Sequence, residues 1–228
     1  MLTKISKVPK RIVDDCINQI SGIEDIRVSY QVIGKNALNK PTGNFFYDPW
    51  VIREEYKGTA WEELLNTLPS DHGEARVISL EKGHCYLQHS DIDDRYHINL
   101  TGDCGYLVNI DSKELIKTEL DYTWYEMDAG PIHSAVNFGR NDRVQVVVRK
   151  RLNSPQLSNP VQITITGGSE MRRFNFDNAV SPWLNKINKL KKISNFDYNK
   201  ERLKFSLEAD AIEEFKKLIP KEFTVNYD

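Results

Sequence analysis

The sequence lacks any long hydrophobic run, and its 228 residues include only three cysteines and five histidines. No apolar stretch approaches the roughly 18 residues that a transmembrane helix requires, and Met1–Ile5 has no apolar signal core. We therefore expect neither membrane insertion nor secretion. The cysteines form no CxxC pair and are too few for a disulfide framework, which favours a reducing, cytoplasmic compartment.

The chain also lacks a strong charge of one sign. Its 31 Lys and Arg residues against 33 Asp and Glu residues leave a formal net charge of −2, which argues against a general polyanion-binding protein. Hydrophobic residues make up 39% and charged residues 28%, as in an ordinary globular protein. The length is sufficient for one sizeable domain with a small additional module.

The N-terminal quarter predicts helices and one strand. Apolar residues at helical spacing predict a helix over Pro9–Ile20, with the proline at its start. Alternation predicts a strand over Ile26–Ile33. Thr59 is a predicted N-cap, because Glu62 follows three residues later as in a capping box, and this helix is expected to run to Leu68.

The segment from Glu74 to Arg151 is predicted to consist mainly of β-strands. Short β-type stretches recur at spacings of about ten residues between turn signals, which favours a sandwich or barrel over a parallel α/β sheet. The predicted strands are 75–80, 85–88, 96–100, 106–110, 123–127 and 144–148.

A segment rich in Ser, Asn and Pro, 151–160, predicts a linker, and the pattern beyond it is mixed. We predict strands over 161–166, 202–207 and 223–227, and helices over 177–193 and 209–218. The predicted organisation is a β domain over 1–151, with an N-terminal α/β extension, and a small α+β module over 160–228.

The C-terminal part has a local basic cluster. Residues 153–228 carry 12 Lys and Arg against 10 Asp and Glu, a net charge of +2. The cluster consists of Arg172, Arg173, Lys186, Lys189, Lys191 and Lys192. A solvated helix face is the favoured interpretation, and a docking surface for an acidic protein or a nucleic acid is the alternative.

His89 and Asp91 predict a metal site. Residues i and i+2 of an extended strand point to the same side, so these two side chains can offer an imidazole nitrogen and a carboxylate oxygen to one ion. A third ligand must come from elsewhere, and His133 follows a turn at a predicted strand start. Two histidines and one carboxylate on one face of an octahedron form the facial triad of Fe(II) oxygenases.

Three further residues predict a binding site beside the metal. Arg95 and His97 are also separated by two, so both can face one side of the next strand. Arg143 lies ten residues after His133, where a buried guanidinium would need a carboxylate partner such as a dicarboxylate cosubstrate. Arg140 is its competitor, and the alternative for Arg143 is a surface arginine that closes a hairpin.

Several neighbouring residues have weaker claims. Asp93 and Asp94 do not have the i+2 spacing and are expected to be exposed turn acids, which leaves open that Arg95 pairs with one of them in solvent. His84 and His72 are expected to be loop residues without a ligand role. Tyr106 and Trp124 lie on predicted strands and either line the pocket or pack in the core.

Two segments, ARVISLEKGHCYLQHSDIDDRYHINLTG and YEMDAGPIHSAVNFGRNDRVQVVV, resemble the aspartyl/asparaginyl β-hydroxylase group of the 2-oxoglutarate- and Fe(II)-dependent oxygenases. Members typically have a first metal-binding His, a closely following Arg-x-His, and a second His with an Arg ten residues later. The matching residues are His89, Arg95, His97, His133 and Arg143. The resemblance covers residues 75–148, about a third of the chain.

The resemblance implies a double-stranded β-helix, a cupin-like jelly roll, as the core of a mainly β protein with α+β additions. It implies that His89, Asp91 and His133 hold Fe(II), that Arg143 binds the distal carboxylate of 2-oxoglutarate, and that Arg95 and His97 assist at the cosubstrate or the metal. Some members of the group use two histidines without a carboxylate ligand, whereas Asp91 completes the commoner triad here.

The implied activity is hydroxylation of an unactivated C–H bond with O2 as second cosubstrate, release of succinate and CO2, and ascorbate as an in vitro reductant. The expected substrate is an Asp, Asn or Pro residue, either free or within a protein. One alternative is an oxygenase acting on a nucleobase or another metabolite, and another is a non-catalytic cupin-like binding module. No membrane partner is expected, and nucleic acid is disfavoured but left open through the basic C-terminal helix.

Overall fold

Strands form most of the regular structure in a computed structural model, which describes residues 2–27, 34–166, 170–198, 202–219, 221 and 223–228, with the backbone alone at 170–179 and 198. The chain divides into two compact units. The first, here called the β unit, comprises Met1–Gln88, Asp94–Asp128 and His133–Arg151, and the second, the α/β unit, comprises His89–Asp93, Ala129–Ile132 and Leu152–Asp228.

The β unit contains two helices and ten strands among its described residues. In chain order these are β1 Leu2–Lys7, α1 Lys10–Gln19, β2 Asn39–Pro41, β3 Trp50–Ile52, α2 Ala60–Leu65, β4 His72–Leu80, β5 Arg95–Asn99, β6 Gly105–Asn109, β7 Glu114–Thr118, β8 Thr123–Met127, β9 His133–Asn137 and β10 Arg143–Lys150. The prediction of a mainly β protein is therefore confirmed.

Antiparallel pairing arranges these strands in three sheets. The largest has the order β1-β8-β5-β10-β4, the second has the order β7-β6-β9, and β2 and β3 form a hairpin. Cys85 adds an isolated bridge to Val136 of β9. The strand predicted over 85–88 is thus wrong as a full strand, because one bridge replaces a ladder.

Alternation along β10 separates a core face from a polar face of the five-stranded sheet. Val144, Val146 and Val148 belong to a core cluster that also contains residues of both helices, including Val13, Trp61 and Leu64. Arg143 and Gln145 point to the opposite side because successive side chains alternate across a strand. The helices therefore cover one face of the sheet and leave the other face to polar groups.

The two predicted helices of this unit are present. The first runs over Lys10–Gln19, one residue shorter at each end than predicted, and buries Ile12, Val13 and Cys16. The second has Thr59 as N-cap, whose Oγ1 accepts a hydrogen bond from Trp61 N at 3.3 Å. It ends at Leu65 instead of Leu68.

Four observed strands of this unit were missed by sequence reasoning, and one prediction cannot be compared. β1 and β7 are largely exposed, so neither has the buried apolar alternation that predicts a strand, and β2 and β3 have only three residues each. Ile26 and Arg27 lie in a turn, and the remainder of the strand predicted over Ile26–Ile33 lies outside the described residues.

The α/β unit has the order βαββαβ. Its elements are β11 Pro160–Thr166, α3 Glu170–Lys189, β12 Ile193–Tyr198, β13 Arg202–Glu208, α4 Ile212–Leu218 and β14 Thr224–Tyr227. The strands form one antiparallel sheet in the order β12-β13-β11-β14, the arrangement of a split β-α-β fold. Ring contacts of Phe205 with Phe196 and Phe215 lie in its core.

The helix predicted over 177–193 has different ends in the structure. It begins at Glu170 and ends at Lys189, and β12 begins at Ile193. Lys191 has a left-handed φ of 58°, and Lys192 N donates to Ile187 O at 3.1 Å, which is a Schellman-type termination. Because no glycine marks this position, the sequence did not predict the stop.

Within the described residues, no helix has the length and hydropathy needed to cross a membrane.

Candidate metal centre

The segment that carries His89 and Asp91 lies in the connection between β4 and β5. It is not part of a named strand, so the predicted extended strand is wrong in this detail. Two hydrogen bonds fix the segment instead: Asp91 N donates to Ala129 O at 2.9 Å, and Ser90 Oγ donates to Gly130 O at 2.5 Å. These bonds bring the His-x-Asp segment beside the turn that precedes His133 in the sequence.

His89, Asp91 and His133 are brought together as the sequence predicted. One ligand atom from each lies within 4.8 Å of the others, and His89 Nε2 is 3.9 Å from Asp91 Oδ2. His133 is buried, with 4% of its surface exposed, whereas the other two side chains are partly exposed. Two imidazole nitrogens and one carboxylate oxygen form a donor set that can hold a divalent metal ion with positions left open for other ligands.

Arg143 is almost fully buried on the polar face of the five-stranded sheet, with 1% of its surface exposed. Its Nη1 lies 3.4 Å from Thr118 Oγ1. Its Nε and Nη2 atoms have no hydrogen-bond partner among the described residues. Burial lowers the pKa of the guanidinium to about 10, because desolvation disfavours its charged form, while Tyr86 acts in the opposite direction.

Two glycines leave the space that the Arg143 side chain occupies. A Cβ atom on Gly105 would lie 2.5 Å from Arg143 Nη1 and 2.8 Å from Thr118 Oγ1. A Cβ atom on Gly102 would lie 2.9 Å from Arg143 Cα, and the φ of +88° at Gly102 also disfavours a side chain. The guanidinium is therefore held in a close-fitting channel. Arg140, its competitor in the sequence, is exposed.

A pocket lies between the five-stranded and three-stranded sheets. It is lined by Leu2, His97, Asn99, Leu107, Thr118, Tyr125 and Gln145. Asn99 Nδ2 donates to Thr118 O at 3.0 Å, and Gln145 Nε2 donates to Asn99 Oδ1 at 2.6 Å. Thr118 lines this pocket and also accepts a hydrogen bond from Arg143. One wall of the pocket is therefore polar and leads to the buried guanidinium.

Arg95 and His97 both lie on β5, where alternation directs them to the face that also carries Asn99. His97 lines the pocket, whereas Arg95 is not among its lining residues. Tyr106 and Trp124 are not among them either. Trp124 is fully buried in the core cluster on the helix side, and its Nε1 donates to Thr67 Oγ1 at 2.8 Å.

The acids after Asp91 differ from expectation. Asp93 is buried, with 2% of its surface exposed, and Asp94 is half-buried, so the prediction that both are exposed turn acids is wrong. The backbone of Asp94 is held by Lys150 N, which donates to its carbonyl at 2.9 Å. Pairing with β10 therefore draws this turn into the structure instead of leaving it in solvent.

The remaining histidines and the basic cluster have surface contacts. His84 is exposed near Glu81, and His72 Nδ1 is 2.8 Å from Pro69 O. In the basic cluster, the lysines at 186 and 192 have carboxylates within 3.6 and 2.7 Å, which agrees with a solvated surface. The side chains at 172 and 173 lie outside the described residues.

Sequence reasoning missed Thr118, Asn99, Gln145 and Gly105. A signal was present for two of them, since Asn99 lies two residues after His97 and Gln145 two residues after Arg143. The same alternation that paired Arg95 with His97 extends to these positions, which are direct partners across the β5–β10 ladder. Thr118 and Gly105 come from the hairpin of β6 and β7, which has no motif of its own.

Comparison with known families and curated proteins finds no matching family model and no matching protein. Function is therefore inferred from the chemistry of the described residues. These include a His-Asp-His cluster, a buried guanidinium and a polar pocket between two antiparallel sheets of the β unit.

Proposed function

We propose that this protein is a 2-oxoglutarate- and Fe(II)-dependent oxygenase that hydroxylates an unactivated C–H bond. The observation that carries the proposal is the buried Arg143 guanidinium, whose Nε and Nη2 atoms have no partner among the described residues. A buried cation without a counterion is costly, so a site that retains one is suited to an anionic ligand. Arginine binds a carboxylate through two parallel hydrogen bonds, and its paired Nε and Nη2 atoms fit that geometry.

The donor set supports the choice of metal. Two imidazoles and one carboxylate on neighbouring positions are the ligands of the non-haem Fe(II) oxygenases, and they leave open positions for a bidentate cosubstrate and O2. A structural zinc site would have four protein ligands in a closed tetrahedron. The partly exposed His89 and Asp91 leave the cluster accessible from solvent.

The order in which the strands visit the two sheets supports a jelly-roll core. β4, β5, β8 and β10 belong to the five-stranded sheet, and β6, β7 and β9 belong to the three-stranded sheet. Cys85, between β4 and β5, bridges to the three-stranded sheet. The chain therefore passes repeatedly from one sheet to the other, as in a double-stranded β-helix.

Each residue then has a distinct role. When bound, Fe(II) and 2-oxoglutarate would supply the oxidation by O2, in which one oxygen atom becomes the substrate hydroxyl and the other enters succinate as CO2 leaves. His89, Asp91 and His133 hold the metal, and Arg143 binds the distal carboxylate beside the Thr118 hydroxyl. The pocket residues orient the cosubstrate and exclude water.

The substrate class follows from the sequence resemblance. An Asp, Asn or Pro residue, free or within a protein, is the substrate of first choice. A nucleobase or other metabolite is the alternative within the same chemistry, and it is tested by supplying each class and measuring succinate formed above the background without substrate.

Turnover of 2-oxoglutarate tests the activity without knowledge of the substrate. Full-length protein with Fe(II), ascorbate, O2 and 2-oxoglutarate is expected to form succinate slowly through uncoupled turnover. His89→Ala and Asp91→Ala should reduce succinate to background because they remove metal ligands. Arg143→Ala should do so by weakening 2-oxoglutarate binding, with metal affinity retained.

Arg140→Ala is the matched control, because it removes an exposed arginine three residues from Arg143 and should leave succinate formation unchanged. Absence of succinate from the wild type, together with no shift of the melting temperature by Fe(II) and 2-oxoglutarate, would contradict the oxygenase and favour a non-catalytic binding module. Equal effects of the metal-ligand and Arg143 variants on metal affinity would contradict the assigned roles.

A further inference from the structure

The helix α3 buries polar side chains on its flank. Its apolar residues Val180, Trp183, Leu184 and Ile187 are buried as expected for a helix that packs on a sheet. Ser181 and Asn185, one turn apart, are buried as well, each with 3% of its surface exposed. Because burial of an amide is costly without specific contacts, Asn185 is expected to have a defined partner.

The Asn185 amide lies directly against Gly130. A Cβ atom on Gly130 would lie 2.5 Å from Asn185 Oδ1 and 2.7 Å from its Cγ, so only glycine fits at this position while the amide stays in place. Both residues belong to the α/β unit. The contact therefore joins α3 to the segment Ala129–Ile132 within one compact unit.

Gly130 in turn contacts the His-x-Asp segment. Its carbonyl accepts the hydrogen bond from Ser90 Oγ, and the neighbouring Ala129 carbonyl accepts from Asp91 N. Ser90 lies between the two ligands His89 and Asp91 in the sequence. A continuous series of contacts thus leads from the Asn185 amide through Gly130 to the backbone that carries both ligands.

We propose that Asn185 is a positioning residue for the metal centre, because its amide holds Gly130 in the place where that carbonyl fixes Ser90 between His89 and Asp91. Helix α3 thereby supports the ligands His89 and Asp91 within the α/β unit. This role presupposes the metal site of the proposed function and does not depend on the identity of the substrate.

The need for such support follows from the local backbone. His89–Asp93 is not part of a named strand, and within it only His89 forms an isolated β-bridge, so its backbone depends on individual contacts such as the hydrogen bond from Ser90 to Gly130. Residues beyond the ligands that orient them commonly contribute about 10- to 100-fold to metal affinity. The contact between Asn185 and Gly130 is therefore expected to affect metal binding more than it affects folding.

Binding of Co(II) alone to the full-length protein tests the role of Asn185. Asn185→Ala is expected to weaken Co(II) binding by about tenfold. It should also change the visible absorption spectrum of the bound ion, because the ligands are held less firmly. Asn188→Ala is the matched control: it removes an amide from the same helix that contacts Asn153 of the linker, and it should leave affinity and spectrum as in the wild type.

Gly130→Ala provides a second test that keeps the Asn185 side chain. The added methyl group would displace either the Asn185 amide or the carbonyl of residue 130 that accepts the hydrogen bond from Ser90 Oγ. Weaker Co(II) binding is therefore expected. The double variant Gly130→Ala/Asn185→Ala lacks the amide that the new methyl group would meet, and the Cβ of residue 185 lies 3.1 Å from that methyl group. The combined loss of Co(II) affinity should therefore be smaller than the sum of the two single losses.

The outcomes separate this role from the proposed function. If the wild type binds Co(II) and both single variants bind it within twofold of the wild type with unchanged spectra, the positioning role is overturned and the metal site stands. If the losses of Co(II) affinity in the two single variants add up in the double variant, the contact between Asn185 and Gly130 is not the cause of the weaker binding. If the wild type binds no Co(II), the metal site itself is overturned and the positioning role with it.

Discussion

At the scale of single residues, Arg143 combines features that rarely occur together in a free protein. It is almost fully buried, two of its donor atoms have no partner among the described residues, and glycines close around its side chain. A guanidinium held in this way is suited to a ligand that brings its own negative charge. Arg143 is therefore expected to strengthen the binding of an anionic ligand and to lower the stability of the ligand-free protein.

Replacement of this arginine should stabilise the free protein. Arg143→Met removes a buried charge and retains much of the apolar side chain, so the free energy of unfolding is expected to rise by about 1 kcal/mol or more. Stabilisation by 2-oxoglutarate should be lost at the same time. Chemical denaturation with and without 2-oxoglutarate and Mn(II) measures both effects.

Arg140→Met is the control, since it replaces an exposed arginine and should change stability by no more than about 0.5 kcal/mol. The pH dependence gives a further check. Because burial lowers the pKa of Arg143 to about 10, its unfavourable charge is present below that pH and disappears as the pH rises through it. The advantage of Arg143→Met should shrink above pH 10. A destabilised variant would contradict a buried guanidinium whose Nε and Nη2 atoms lack partners among the described residues.

At the scale of elements, the hairpin of β6 and β7 closes the pocket although its sequence has no motif. It supplies Thr118 beside the guanidinium and Gly105 beneath it. β7 itself is largely exposed, so its contribution to the site comes from its last residue, Thr118, which is buried and pairs with Gly105 of β6.

Gly105→Ala is expected to weaken 2-oxoglutarate binding by displacing the Arg143 side chain or the Thr118 hydroxyl. Overpacking of this kind should also cost about 1–3 kcal/mol of stability. Calorimetry of 2-oxoglutarate binding in the presence of Mn(II) measures the first effect. Gly22→Ala is the matched control, because among the described residues no atom beyond its chain neighbours lies within 4 Å of the added methyl group. Normal binding by Gly105→Ala would show that the channel is not closely fitted.

At the scale of the whole molecule, binding at the metal centre should be visible as thermal stabilisation. A ligand at 100 times its dissociation constant adds about 2.7 kcal/mol, which corresponds to a rise in melting temperature of about 5–10 °C for a chain of this size. Mn(II) should raise the melting temperature of the wild type, and 2-oxoglutarate should raise it further only when Mn(II) is present. Asp91→Ala should abolish both shifts, and an equal shift in that variant would place the metal elsewhere.

The sequence predicted the β class, most strands and the three residues of the His-Asp-His cluster, because apolar alternation and motif spacing are local signals. It missed features that depend on distant parts of the chain. Asp93 is buried although its neighbourhood resembles an exposed turn, α3 ends two residues before the left-handed Lys191, and Gly105 matters through its close approach to Arg143 and Thr118. Contacts of this kind arise from packing between segments and have no periodic pattern in the sequence.

The location of Trp183 in the α/β unit has a consequence for fluorescence experiments. It is the only one of the four tryptophans that belongs to the α/β unit, and the other three, Trp50, Trp61 and Trp124, belong to the β unit. Subtracting the emission of a Trp183→Phe variant from that of the wild type therefore isolates a signal from the α/β unit. This difference signal can be followed while Co(II) is added, so an optical probe already present in the chain can report whether that unit responds when the metal binds.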